Sequence, residues 1–255
     1  MEFGICNLNS IALRIEPSDT SEMVSQVLFG EHFTVLEVKK QWLYIKLAFD
    51  GYRGWIDNKQ VEEISKAYFD KLQSTNAVFL KELISLVSVN DKLIPLSIGA
   101  TLPNFMNSQF SINNNNYEID GDVQEFKRNK NNIVETAFMY LNAPYLWGGK
   151  TPFGIDCSGF TQMVYKMNGF KLFRDASQQA KQGEVLSFIE ESEPGDLAFF
   201  DNNEGNITHV GIILANNYII HASGKVRLDR LDQSGIYNEE SNRHSHKLRL
   251  IKRMF

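Results

Sequence analysis

The stretch from Tyr145 to Phe170 constrains this chain more than any other. It opens as a loop rich in glycine and aromatics, Tyr-Leu-Trp-Gly-Gly-Lys-Thr-Pro-Phe-Gly-Ile, and at Asp156 turns into an apolar run. Glycine permits the close backbone approach that such a loop offers a ligand, and Asp is favoured at a helix N-cap. Phe160, Met163, Val164 and Met167 recur at three- and four-residue spacing, which predicts a helix from Ser158 with Gly169 as its stop. Cys157 thereby falls in the first turn. Unpaired N–H groups and the helix dipole there favour thiolate over thiol. Asp156 opposes this by like-charge repulsion, so a nucleophilic Cys157 calls for a second cation, an imidazolium from elsewhere in the chain. The alternative is a cysteine that only packs.

With 43% hydrophobic and 22% charged residues over 255 positions, the chain has room for one to three domains, each with its own core. A net charge of −5 argues against nucleic acid as a partner, since phosphates need a basic face. Two cysteines, Cys6 and Cys157, are too few for a disulfide framework and fit a reducing compartment. The opening Met-Glu-Phe-Gly-Ile-Cys-Asn has neither the basic stretch nor the apolar run of a signal peptide, and no apolar stretch is long enough to span a bilayer. The expectation is a soluble, cytoplasmic protein with no membrane partner.

Residues 1–64 read as five short strands, Ser10–Ile15, Val24–Leu28, His32–Lys39, Trp42–Ala48 and Gly54–Asp57, separated by turn residues. Such spacing suggests a small barrel. Val61–Ser74 reads as a helix, and Leu83–Val89, Lys92–Leu96 and Tyr117–Ile119 as strands. The segment 65–128 is therefore expected to be a second, divergent small barrel or else a two-stranded insert with a helix. A linker is expected near Phe126–Asn131. From 129 to 255, predicted helices (Asn131–Leu141, the cysteine helix, Ser177–Lys181) precede predicted strands (Leu197–Asp201, Ile207–Leu214, Tyr218–Ala222, Lys225–Leu228, Leu248–Lys252). Helices first and a mostly antiparallel sheet after indicate an α+β domain.

Of the five histidines, His32 lies in the first barrel and reads as structural. His244 and His246 alone make a poor metal site, because zinc needs three or four ligands; no metal and no cofactor is expected. His209 and His221 each interrupt an apolar strand. If a three-residue loop (215–217) joins those strands, Gly211 faces His221 and His209 lies diagonally on the same face, at roughly 7–8 Å between backbones. One imidazole then orients the other. A two-residue loop would put them on opposite faces. The roles that follow are Cys157 as nucleophile, His209 as its base and His221 as the group that holds the base's tautomer. Two satisfied core histidines are the alternative.

Tyr145-Leu-Trp-Gly-Gly, Asp156-Cys-Ser-Gly-Phe160, Pro194-Gly-Asp-Leu197, His209-Val-Gly-Ile and His221-Ala-Ser together resemble the NlpC-type cysteine peptidases, which cut bacterial cell-wall peptides. Leu13-Arg14, Leu28-Phe-Gly-Glu31 and Gly51-Tyr-Arg-Gly-Trp55 resemble bacterial SH3-like domains, which commonly precede that catalytic domain. The resemblance implies a papain-like α+β fold behind one or two SH3-like barrels (1–64 and 65–128, then 129–255). It also implies Cys157, His209 and His221 as the catalytic set, with the Tyr145 hydroxyl and the Cys157 N–H supporting the oxyanion.

By architecture the chain is similar to the recycling enzymes that act on peptides with a free N-terminal L-Ala. The implied reaction is hydrolysis of the γ-D-Glu–diamino acid bond of a murein tripeptide or related peptide, releasing L-Ala-γ-D-Glu. The substrate ammonium then needs an acid, for which Asp156 and Glu31 are candidates, with Tyr52 completing that wall. Ser158 and Ser177 are candidates for the D-Glu carboxylate. Diaminopimelate and lysine both remain open as the diamino acid. The rival readings are an amidase or acyltransferase on the same fold, and a wall-peptide-binding protein with an inactive hydrolase.

Overall fold

Turn residues cut the first 64 positions into more strands than alternation alone suggests. In the computed structural model, which describes residues 1–255, Phe3–Cys6, Ser10–Arg14, Met23–Leu28, His32–Lys39, Trp42–Leu47, Arg53–Asp57 and Val61–Ile64 join in one seven-stranded sheet. The two additions pair with each other, Phe3 opposite Ile64 and Cys6 opposite Val61. This corrects the helix expected from Val61. Val61 and Ile64 gain more by pairing and burying on the sheet than by starting a helix, which begins only at Lys66, where the Ser65 hydroxyl caps the Tyr68 N–H. Cys6, Ile11, Leu13, Val27, Phe33, Leu43, Ile45, Leu47 and Ile56 fill the sheet's interior.

The chain divides into two compact units, Met1–Phe126 with Lys150–Pro152, and Lys127–Gly149 with Phe153–Phe255. Within the first, the middle segment forms a four-stranded sheet in the order Lys92–Ser97, Ile84–Val89, Asn115–Ile119, Gln109–Ile112, plus the pair Val78–Leu80 and Val123–Glu125. Its Leu80, Val87, Leu96 and Ile119 share one apolar cluster with Ile5, Phe29 and Ile64 of the preceding strands.

In the second unit the helix Cys157–Met167 is buried along its whole length. Its apolar side chains Phe160, Met163 and Val164 are fully enclosed, each contributing about 1.5–3 kcal/mol relative to exposure. Gly159 is required where it sits: a Cβ there would lie 2.3 Å from the Gly149 carbonyl oxygen. Helix and glycine loop are thus in backbone contact. Strands Leu197–Asp201, Ile207–Leu214, Tyr218–Ser223, Lys225–Asp232, Gly235–Asn238 and Arg243–Arg253 follow in order, with Glu184–Leu186 added at the edge. Gly235–Asn238 also pairs with Arg243–Arg253, so the six strands close on themselves. Gly235 permits the closure at φ +138°, where a Cβ would collide with the His246 carbonyl oxygen at 1.9 Å. Ala198, Phe200, Ile213, Ile219, Leu231, Ile236 and Ile251 form the core of this sheet.

Candidate active site

Asp156 shapes the surroundings of Cys157. Its carboxylate accepts the Gly159 N–H at 2.6 Å as the helix cap and the Gly148 N–H at 2.8 Å from the glycine loop. Arg174 grips the same carboxylate with both terminal nitrogens, at 3.0 and 2.6 Å, and donates to the Ser158 hydroxyl at 2.9 Å. Arg174 is itself fully buried. Neither Arg174 nor this ion pair was singled out from the sequence, because the partners lie far apart along the chain and arginine is usually exposed. Arg174 offsets part of the repulsion that Asp156 exerts on a thiolate, and Asp156 remains the larger of the two.

The strands Ile207–Leu214 and Tyr218–Ser223 are joined at Ala215–Asn217, a turn with Asn216 at φ +59° and Asn217 at φ +60°. Gly211 faces His221 and Leu214 faces Tyr218, which is the three-residue register. His209 Nε2 lies 2.8 Å from His221 Nδ1, and His221 Nε2 lies 3.0 Å from Asp229 Oδ2. Arg227 holds Asp229 with Nε at 2.8 Å and a terminal nitrogen at 3.1 Å. Tautomers follow from the acceptor at the end of the line. Asp229 accepts a hydrogen bond from His221 Nε2–H, His221 Nδ1 accepts from His209 Nε2–H, and His209 Nδ1 is left as a free base. The Cys157 sulphur is hydrogen-bonded by the backbone of Val210, the residue next to His209.

Burial dominates the electrostatics. It pushes the Cys157 thiol up to about 12, reinforced by Asp156 and opposed by the Val210 backbone and Arg174. It also lowers His209 well below its ordinary value, with His221 and His246 adding to the effect. His221 is lowered by burial against the pull of Asp229. At Asp229 burial raises the carboxyl, yet the bonds from His221 and Arg227 prevail and hold it low. Burial thus disfavours charge on both Cys157 and His209 and works against the ready ion pair that a helix start alone would favour.

Tyr145 is half-buried, and burial together with Cys157 and Asp156 raises its hydroxyl to about 12, keeping it a proton donor. Asp156 and Ser158 are in this cluster; Ser177 is exposed on the short helix Ala176–Gln179. Glu31 and Tyr52 belong to the first unit. There Glu31 is buried, accepts the Leu28 N–H at 2.9 Å and pairs with the Lys150 ammonium at 3.2 Å, while Tyr52 packs on the barrel core. His244 and His246 part company across a bulge: His244 pairs with Asp232 at 2.9 Å, and His246 stacks on His209 with ring centres 4.1 Å apart.

The NlpC/P60 family pattern matches residues 142–244, and the bacterial dipeptidyl-peptidase Sh3 domain matches residues 13–61. A gamma-D-glutamyl-L-lysine dipeptidyl-peptidase of Bacillus subtilis (strain 168) is 32% identical over 217 residues, spanning 78% of this chain and 71% of that protein. The chain belongs to the NlpC/P60 family. This NlpC/P60 protein is a cysteine peptidase with a papain-like α+β fold behind an SH3-like domain. Dipeptidyl-peptidase 6 of Lysinibacillus sphaericus is 29% identical over 261 residues, spanning 89% of this chain and 92% of that one. A solved NlpC/P60 family protein from Bacillus cereus ATCC 10987 matches with a TM-score of 0.82 over 99% of both chains, at 20% identity, which speaks for the fold.

Proposed function

We propose that this peptidase hydrolyses the γ-D-Glu–diamino acid bond of free muropeptides that carry an N-terminal L-Ala, releasing L-Ala-γ-D-Glu during murein peptide recycling in the cytoplasm. The observation that carries the reading is the unbroken line His209–His221–Asp229, whose free end lies on the strand residue next to the one bonding the Cys157 sulphur. Two relatives, 32% and 27% identical and named for gamma-D-glutamyl-L-lysine dipeptidyl-peptidase activity, support the bond assignment. Both cysteines are free thiols, which fits a reducing compartment.

In the first step the Cys157 thiol passes its proton to His209 Nδ1 as the sulphur attacks the γ-carbonyl carbon. The Cys157 N–H and the Tyr145 hydroxyl receive the oxyanion. His209 returns the proton to the departing amine of the diamino acid, leaving a thioester. A water then gives one proton to His209 and its oxygen to the acyl carbon, and His209 re-protonates the leaving sulphur. His221 and Asp229 keep the His209 proton on Nε2 in the resting state and offset the charge of the imidazolium when it forms.

For the ammonium-reading part of the proposal, Asp156 of the second unit and Glu31 with Tyr52 of the first are separate candidates. Both carboxylates already have a buried cation, Arg174 and Lys150 respectively, so a substrate ammonium would share one of them. Mass spectrometry of digests of L-Ala-γ-D-Glu-diaminopimelate, its lysine counterpart and their N-acetylated forms tests each part. Release of the diamino acid from the free peptides alone supports the whole proposal. Release from the acetylated peptides as well keeps the bond assignment and removes the ammonium requirement. Release from none, with the thiol confirmed reduced, contradicts the reaction and favours a wall-peptide-binding protein.

A further inference from the structure

Beside the Cys157 line stands a third imidazole that the proposed reaction does not use. One ring nitrogen from each of His209, His221 and His246 lies within 4.8 Å of the other two. His246 comes from Arg243–Arg253, the strand that closes the sheet, and its ring stacks on His209 at an interplanar angle of 22°. Its Nδ1 has the Ser245 hydroxyl at 2.9 Å, which leaves Nε2 as the nitrogen without a hydrogen-bond partner. His246 is only half-buried, so an ion can enter from its side.

We propose that His209, His221 and His246 form an inhibitory site for a borderline-soft transition dication of the zinc type. A tetrahedral zinc with bonds of about 2.0–2.1 Å sets its nitrogen ligands roughly 3.3 Å apart. To reach that spacing the His209–His221 separation of 2.8 Å opens slightly, and the His246 ring, stacked on His209 with its nitrogen within 4.8 Å of the others, tilts toward them. The remaining position takes water. Support for the ligands is also in place: the far N–H of His221 donates to Asp229 at 3.0 Å, the carboxylate–histidine arrangement that fixes a ligating imidazole and raises its basicity. Asp229 supplies negative charge near the ion, while Arg227, paired with Asp229 and Glu240, opposes it and limits affinity. Phe200 flanks both His209 and His246, at 5.8 and 6.0 Å between ring centres, and gives the ion a partly apolar wall.

The consequence for the enzyme follows from proton positions. A metal on His209 Nε2 displaces the proton held there, which moves to Nδ1. The nitrogen that must accept the Cys157 proton then already carries one, and the base is lost without any contact between metal and sulphur.

The test separates this site from simple capture of an ion by the thiol. Cobalt(II) alone is titrated into Cys157→Ser protein and followed by visible absorption. The expected result is one cobalt per chain, with tetrahedral ligand-field bands, no thiolate charge-transfer band and displacement by zinc. Adding His246→Phe, which keeps an aromatic ring against His209 but removes the donor, should weaken binding by at least about tenfold; circular dichroism confirms that the variant is folded. Loss of binding in Cys157→Ser, equal binding with and without His246, or no cobalt bound at micromolar concentration each overturns the inference. The readout is binding, so it stands apart from which peptide bond the enzyme cuts.

Discussion

The molecule contains the same side chain in two settings. Cys6 and Cys157 are both buried free thiols, and burial raises each to about 12. Cys6 lies on a strand of the first barrel, its sulphur against the carbonyl oxygens of Leu8 at 3.2 Å and Val27 at 3.6 Å. Burial and the Glu31 charge hold the proton on Cys6, against the opposing pull of the Leu8 backbone and the Lys150 ammonium. Cys157 sits at a helix start, with backbone bonds from Val210 and Ser158 to its sulphur, and the histidine line begins on the residue beside Val210. Depth of burial therefore does not distinguish a structural thiol from a reactive one. Both sulphurs have a backbone hydrogen bond and a nearby cation that favour the thiolate, so the difference lies in the helix start and in the base whose strand adjoins Cys157.

The sharpest way to break this contrast is to exchange the roles. Cys157→Ala should reduce turnover by on the order of 10^6-fold, as loss of a nucleophile does. Next in size, His209→Ala should lower kcat by about 10^2–10^4-fold and slow alkylation of Cys157 by iodoacetamide, with no change at Cys6. Mass spectrometry of the labelled peptides reads both sites at once. Asp229→Asn should give a smaller loss than His209→Ala, because it acts on the base through His221; a loss as large would mean that Asp229 does more than hold His221 in place.

Two buried ion pairs extend the comparison from chemistry to stability. Removing Asp156 takes the carboxylate away from buried Arg174 and the cap from a helix, and removing Glu31 takes the carboxylate away from buried Lys150. Asp156→Ala and Glu31→Ala should each cost roughly 3–5 kcal/mol in urea unfolding. Activity then discriminates between them: at a temperature where both variants remain folded, Asp156→Ala should suffer the larger loss in kcat, since it also releases the glycine loop at Gly148.

The smallest expected effect concerns pH. Burial lowers His209 and His221, and brings His246 to about 4. Histidines depressed in the folded state are protonated first in the unfolded chain, which then binds more protons than the native state. Stability is therefore full above about pH 6.5 and declines as pH falls from there toward 4. Asp229 works against part of this at His246 and His221. Thermal melts at pH 7.5 and 5 should show a lower midpoint at pH 5, and His246→Phe should reduce the difference.

Period-two alternation made the histidine register legible, because a three-residue connection leaves only one way for His209 and His221 to share a face. The Cys157 helix and the strand Leu197–Asp201 were legible for the same reason, strong local pattern. Asp229 lies one residue beyond the strand that sequence pattern ends at Leu228; the apolar–charged alternation continues to Asp232 and carries Asp229 diagonally across from His221. His246 was hidden differently: a polar, arginine-rich stretch reads as loop until Gly235 allows the sheet to close on it. Val61–Ile64 was lost to the helix beside it, since pairing with Phe3–Cys6 is a contact between opposite ends of the barrel sequence. What pattern conveyed was local; what it missed depended on partners distant in sequence.

The most direct test measures release of the diamino acid from L-Ala-γ-D-Glu-diamino acid peptides by wild type, Cys6→Ala and Cys157→Ala, each verified as folded. The account predicts that wild type and Cys6→Ala release it at rates within about twofold of each other, Cys6→Ala losing only about 1 kcal/mol of stability, and that Cys157→Ala releases none. Release by Cys157→Ala, or loss of activity in a folded Cys6→Ala as complete as that in Cys157→Ala, would contradict it.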